Sequence, residues 1–309
     1  MEKRRIGNDG PEVSLVGLGC NNFGMRIDET ASEAVVQAAL DAGITHFDTA
    51  EMYGGGKSEE FLGRALGGRR EQVVIATKAS PRPRDDEFVP GNLGQRIREA
   101  CEGSLKRLGT DRIDLYYQHY PDQEAPLEEA LGALDALKRD GKVLSIACSN
   151  YSGELLAEAA RVSDSRRLAS FCANQVEWSL LNRDVETGAV PEATRLGVSI
   201  VPYFPLASGL LTGKYRRGQD FPAGSRLASS SYFAAVATDT NFDYLDRLTV
   251  FAESHGHSIL ELAFAWLAAQ GSVSSIIAGA TTAEQVRANV KAVGWQMTAD
   301  ELALLPARS

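Results

Sequence analysis

Eight short apolar runs, rich in β-branched residues, punctuate the chain: SLVGLG (14–19), ITHFD (44–48), VVIATK (73–78), IDLYYQH (113–119), VLSIACS (143–149), SFCANQ (170–175), VSIVP (198–202) and SIIAG (275–279). Between them lie longer stretches of helical period. Leu93, Ile97, Cys101, Leu105 and Leu108 stripe one face of 91–108, and Pro126 opens a helix carrying Leu127, Leu131, Leu134 and Leu137 before Gly141. Thr30 with Glu33 and Thr282 with Gln285 have capping-box spacing. A near-continuous apolar strand is buried on both faces, and a helix after each strand returns the chain for parallel pairing. Eight such units predict a closed (β/α)8 TIM barrel. Ahead of them, RRI and PEV flank the turn NDG, which predicts an N-terminal β-hairpin across the barrel floor.

The strand ends fall 26 to 41 residues apart, except the last pair, separated by 77. That interval holds a Gly/Ser-rich stretch, 207–231, and helices near 241–254 and 258–270, so an extended loop plus an extra helix follows strand seven. An insertion there lies on the face where barrel enzymes carry their sites and reads as a binding loop or lid. No linker or low-complexity segment divides the chain, which predicts one barrel domain over 1–309.

Composition narrows the function classes. With 309 residues, 44% of them hydrophobic, the chain can bury a large core. A net charge of −9 argues against a nucleic-acid or anionic-membrane partner, which would meet a basic face. The start MEKRRIGNDGPEV has no apolar run behind its basic residues, so no secretory leader is expected; no apolar stretch reaches membrane-spanning length, and Cys20, Cys101, Cys148 and Cys172 form no CxxC pair. A cytoplasmic protein with reduced thiols is expected. His255 and His257 flank Gly256 and read as a solvated turn rather than a metal site. The stretch GGGKS (54–58) is not a phosphate-binding loop, because Glu51 stands where the motif needs its first glycine.

Polar and ionisable residues end almost every strand after the first: Asp48, Lys78, His119, Ser149 with Asn150, Gln175 and Tyr203. Singly each has a bland reading; Asp48 can cap a turn, Lys78 can be an exposed strand end, and His119 can be a structural histidine. Together with Tyr53 they surround one barrel mouth, which suits carbonyl reduction. Hydride addition builds negative charge on oxygen, and Tyr53 is the best proton donor. A free phenol has a pKa of about 10, which a neighbouring Lys78 ammonium lowers. Asp48 holds that ammonium, and neutral His119 orients the carbonyl. None of these groups carries hydride, so a nicotinamide cofactor is implied. GLGCNN (17–22) lacks the third glycine of a Rossmann fingerprint, so the mouth itself must bind it. Ser149, Asn150 and Gln175 can pair with a carboxamide, Tyr203 offers a flat face to the ring, and the loop 208–214 offers backbone N–H groups, Thr212 and Lys214 to a pyrophosphate. That loop can equally be merely flexible.

These residues resemble the aldo-keto reductase family over nearly the whole chain, in the bacterial type with a short C-terminal tail. GITHFDTAEMYGGGKSEEFLGRAL is similar to its first signature, SLKRLGTDRIDLYYQH to its second, and ACSNYS, NQVEWSLLNR and PYFPLASGLLTGKY to its cofactor-binding strand ends. The resemblance implies a barrel that uses NADPH, with NADH as the alternative, and reduces a small-molecule carbonyl substrate. It maps the catalytic aspartate, tyrosine, lysine and histidine onto Asp48, Tyr53, Lys78 and His119. It maps cofactor contacts onto Gly19, Cys20 and Asn21, onto Ser149, Asn150 and Gln175, and onto Tyr203, Phe204, Pro205 and Leu206. Further contacts fall on Ser208, Gly209, Leu211, Thr212, Gly213 and Lys214, and the adenosine end on Gly279, Ala280, Thr281, Gln285 and Asn289. The glycines at 54–56 then present Tyr53 and launch a helix capped by Ser58, with Lys57 in solvent.

The chain departs from the family pattern in lacking a basic residue at 279–281, in Ala288 for a frequent glutamate, in Phe204 for a small serine and in Trp178 for a tyrosine. Its tail ends at LLPARS, which implies an open pocket whose walls include Phe23, Met52, Tyr120 and the 215–235 loop. A second reading is a cofactor-bound regulatory subunit, since potassium-channel β subunits share the resemblance. A sugar isomerase or lyase would need metal carboxylates or a Schiff-base lysine, and Lys78 beside Asp48 fits an ion pair better.

Overall fold

A computed structural model of the protein describes residues 1–81 and 89–308. Eight parallel strands close into a barrel: β3 (Val16–Gly19), β4 (His46–Asp48), β5 (Val74–Ala79), β6 (Ile113–Gln118), β7 (Val143–Ser149), β8 (Ala173–Glu177), β9 (Ser199–Tyr203) and β10 (Ile276–Gly279). Closure is made by β10 against β3, Ile276 opposite Val16 and Gly279 opposite Gly19. Strand β8 is shifted toward the C-terminus of its apolar run, since its pairing with β9 starts at Ala173 and continues through Glu177. Asn174 within it is tied down by its side chain, which donates to Tyr151 O at 2.9 Å.

The hairpin β1 (Lys3–Arg5) and β2 (Glu12–Ser14) closes the floor. Ile6 and Val13 are fully buried with the inward-facing Ala76, Leu115, Tyr117 and Ala147. Gly7 has φ +59° and sits so near β8 that a Cβ there would lie 2.5 Å from Cys172 O. A larger residue would lift the plug.

Around the barrel lie α1 (Glu29–Asp41), α2 (Lys57–Leu66), α3 (Asn92–Leu108), α4 (Leu127–Arg139), α5 (Gly153–Arg166) and α6 (Ala189–Leu196). The long insertion holds α7 (Arg226–Ser229), α8 (Ser231–Ala234) and α9 (Asp239–Ser254) before α10 (Ile259–Ala268), and α11 (Ala283–Ala292) and α12 (Ala299–Ala303) end the chain. The apolar stripe of α3 is buried as its period requires. Helices α2 and α3 pack closely at Gly63, where a Cβ would lie 2.4 Å from Leu108 O.

Three local expectations are corrected. Helix α1 is capped by Asp28, whose carboxylate accepts from Ala31 N, two residues before Thr30. Thr282 caps α11 but makes no box, because Gln285 Oε1 turns to Thr281 N at 2.8 Å. The His255–His257 turn is packed rather than solvated: the His257 ring stacks on Trp295 at 4.2 Å and 9°. Among the described residues, no helix is long and apolar enough to cross a membrane.

Candidate active site

Strand β4 delivers Asp48 and β5 delivers Lys78 to the same depth, where they are 3% and 0% exposed. A buried ammonium needs compensation. Lys78 Nζ donates to Asp48 Oδ2 at 2.6 Å and to Thr49 O at 2.8 Å. The other carboxylate oxygen accepts from Gln175 Nε2 at 2.8 Å. Burial is the largest single influence on the Lys78 pKa and pulls it down, but the charge and hydrogen bonding of Asp48 and Tyr53 together outweigh it and the net direction is upward. The lysine is therefore a fixed cation.

Tyr53 comes from the turn that follows β4. Gly54, Gly55 and Gly56 all take left-handed φ, +59°, +64° and +94°, which only a glycine run adopts without strain. The Tyr53 ring sits with Lys78 Nζ 5.3 Å from its centroid and meets the His119 ring edge-on at 5.8 Å. Gly56 is the N-cap of α2, so Ser58 is not; its hydroxyl donates to Cys20 O at 2.8 Å and contacts Thr49 Oγ1. Lys57 is exposed at the helix start.

The acidity of Tyr53 differs from the expectation. Burial raises its pKa most, Lys78 lowers it, Asp48 and Tyr120 raise it again, and the phenol ends above its ordinary value of 10. The ammonium acts in the expected direction and is outweighed. The proton consequently stays on the phenol across the neutral range. His119 is held neutral: burial first and Lys78 second push its pKa down to about 3. Its Nδ1 is buried without a hydrogen-bond partner among the described residues.

On the opposite wall, Ser149 Oγ donates to Gln175 O at 2.8 Å, Asn150 Nδ2 donates to His119 O at 3.1 Å, and Tyr203 OH donates to Asn150 Oδ1 at 2.9 Å. Of the five non-glycine residues with positive φ among the described residues, Asn150, Phe204 and Ser208 line the cleft and Ala207 is buried beside Ser208. Strained backbone of that kind concentrates at ligand sites.

All this opens into a cleft of about 540 Å³. Asp48, Tyr53 and His119 line it with Ser149, Asn150 and Gln175, while Lys78 stands behind them. Gly19 and Asn21 reach the cleft; Cys20 is fully buried behind, its Sγ against Leu18 O. After β9, Tyr203, Phe204, Pro205 and Leu206 line it, followed by Ser208, Gly209, Thr212 and Lys214. Leu211 is fully buried in the core and Gly213 closes the turn with φ +78°, so neither does. At the β10 end Gly279, Thr281, Gln285 and Asn289 line the cleft; Ala280 faces away, its carbonyl accepting from Asn22 Nδ2. Of the pocket walls expected, Met52 and Tyr120 line the cleft, and Phe23 is buried outside it.

The sequence reading missed two arginines. Arg226 lies against Phe204 and Phe233, its guanidinium carbon 5.3 and 4.9 Å from their centroids, and donates to Asn22 Oδ1 at 3.0 Å. Burial, with repulsion from Arg26, lowers its pKa to about 10. Arg26 donates to Gly224 O at 2.6 Å, so the two arginines pin the insertion against the loop after β3. With Lys214 they are three cleft cations that make no ion pair among the described residues. A faint signal was present, since Arg226 and Lys214 have no acidic residue three or four positions away to pair with. Arg287 instead faces solvent beside Glu284, at 3.8 Å.

Residues 15–307 match the Aldo/keto reductase family. An uncharacterized oxidoreductase, YrpG, of Bacillus subtilis is 36% identical over 99% of this chain and 95% of its own. A probable voltage-gated potassium channel subunit beta of Arabidopsis thaliana is 34% identical over 95% of this chain and 91% of its own. A probable aldo-keto reductase 1 of Glycine max is 34% identical over 96% and 86%.

Proposed function

The chain belongs to the aldo/keto reductase family, and we propose that it reduces aldehydes and ketones to alcohols with a reduced nicotinamide dinucleotide, NADPH before NADH. One observation carries the reading: a protonated phenol, a fixed ammonium–carboxylate pair and a neutral imidazole converge at one cleft that also holds three cations without an ion pair among the described residues.

The residues fit such a cofactor. Tyr203 offers a ring face, Ser149, Asn150 and Gln175 offer donors and acceptors to a carboxamide, and Arg26, Lys214 and Arg226 offer charge to a diphosphate. The neutral lining at Gly279, Thr281 and Gln285 leaves a 2′-phosphate without a cation of its own there, which keeps NADH in contention. When bound, the reduced nicotinamide supplies the hydride.

The protein's own groups handle the proton. Neutral His119 holds the carbonyl oxygen, and Tyr53 Oη gives its proton to that oxygen as negative charge develops on it. An alkoxide is a far stronger base than any phenolate, so a phenol with raised pKa still donates downhill. Lys78 compensates the phenolate left behind, and Asp48 keeps Lys78 in place. Met52, Tyr120 and Tyr232, exposed at the mouth, suit an apolar carbonyl compound. The four cysteines are free and buried, which agrees with a cytoplasmic protein.

The second reading, a regulatory subunit that binds cofactor with little turnover, draws on the relative named as a potassium channel subunit. The test is absorbance of reduced nicotinamide during incubation with small aldehydes and quinones, alongside cofactor titration by fluorescence. Carbonyl-dependent loss of absorbance is expected. Tight cofactor binding with no loss for any carbonyl would favour the second reading.

A further inference from the structure

Tyr53 and Lys78 stand on different elements, a glycine turn and strand β5, tied directly by Lys78 Nζ to Thr49 O at 2.8 Å and by Glu51 N to Lys78 O at 3.5 Å. Two carboxylates reach across. Glu51, two residues before Tyr53, accepts from Ser80 N at 2.7 Å, and Glu59, six residues after it, accepts from Thr77 Oγ1 at 2.5 Å. Their partners flank Lys78 on both sides. Both carboxylates then meet one side chain of α3: Arg107 Nε donates to Glu59 Oε2 at 2.6 Å, and its Nη2 lies 3.9 Å from Glu51 Oε2. The same arginine lies directly beneath the turn, since a Cβ on Gly56 would fall 2.9 Å from its Cδ. The close approach at Gly63 is what lets α3 deliver it there.

A surface ion pair of this composition would be of little consequence. Here Glu59 is fully buried while Arg107 is 27% exposed, and the hydrogen bonds from Thr77 and Arg107 are what fix the carboxylate in place. We propose that Arg107 is the positioning residue for the Tyr53–Lys78 pair: by bridging Glu51 and Glu59 it staples the turn bearing the proton donor to the strand bearing the ammonium. This rests on reading Tyr53 as that donor.

The variants are Arg107→Met, Arg107→Lys, Glu51→Gln, and the double variant Arg107→Met/Glu59→Gln, which leaves no buried carboxylate unpaired and so guards against unfolding. Because a displacement near 1 Å costs about 100-fold in rate, Arg107→Met and the double variant should lose about 10- to 100-fold in kcat with KM for cofactor unchanged. Arg107→Lys should recover part of the loss, and Glu51→Gln should show a smaller one. In a Tyr53→Phe background Arg107→Met should cost nothing further. Amide hydrogen exchange of residues 50–56 should rise in Arg107→Met and in the double variant. An equal loss of kcat with and without Tyr53, or unchanged exchange at 50–56 in both variants, would overturn the proposal. The exchange measurement needs no turnover, so a wild-type protein inactive on every carbonyl would remove the functional reading while the staple stood or fell separately.

Discussion

Replacing Lys78 with methionine removes the ammonium and keeps most of the side chain's bulk. Asp48, 3% exposed, then keeps Gln175 Nε2, at 2.8 Å, as its one side-chain donor among the described residues. Breaking a buried pair by deleting one partner costs about 3–5 kcal/mol, because the remaining charge is desolvated without compensation. Lys78→Met should lose that much stability in urea unfolding at pH 7. Lys78→Met/Asp48→Asn, which removes both charges, should recover more than half of it, since an amide can still meet Gln175 without a charge to solvate. A single variant as stable as wild type would mean that the Asp48 carboxylate does not need its ammonium. A double variant no better than the single would mean that the loss comes from packing. Either result would refute the electrostatic account of the cleft floor.

Acid should destabilise the protein through two buried histidines. His46 is pushed down to about 4 by burial and His119 to about 3. Both are neutral when folded and take up protons when unfolded below the free value of 6.5, so the stability is complete above that pH and is lost on acidification. Between pH 7 and pH 5 the two should cost about 3–4 kcal/mol in urea unfolding, and His46→Gln should remove about half of that dependence. Arg226→Met should weaken cofactor binding about 10- to 100-fold in a fluorescence titration, as for loss of a charge-assisted hydrogen bond, and should flatten its salt dependence. Unchanged affinity would take Arg226 out of the binding surface.

The barrel was legible because strands buried on both faces leave uninterrupted apolar runs, and because the polar residues that break those runs mark the mouth. Asp48, Lys78, His119 and Gln175 could be picked out that way, and they do meet in space. What could not be read depends on contacts remote in sequence or on burial. The bond from Arg26 to Gly224 spans 198 residues, and no periodicity announces it. Arg226 sits in a glycine- and serine-rich stretch whose short helices α7 and α8 are set by their own serine caps and by packing on Phe204. Ser58 looked like a helix cap by position, but the hydroxyl was claimed by Cys20 O. The Tyr53 pKa is a balance of opposing influences, and the largest of them, burial, has no expression in local sequence.

The most direct test is Tyr53→Phe, measured for both cofactor affinity and the rate of carbonyl reduction at pH 7. The account requires affinity within about threefold of wild type and a kcat lower by about 100- to 10,000-fold, the share general acid catalysis supplies. A phenylalanine variant that still reduces its carbonyl at the wild-type rate would contradict it.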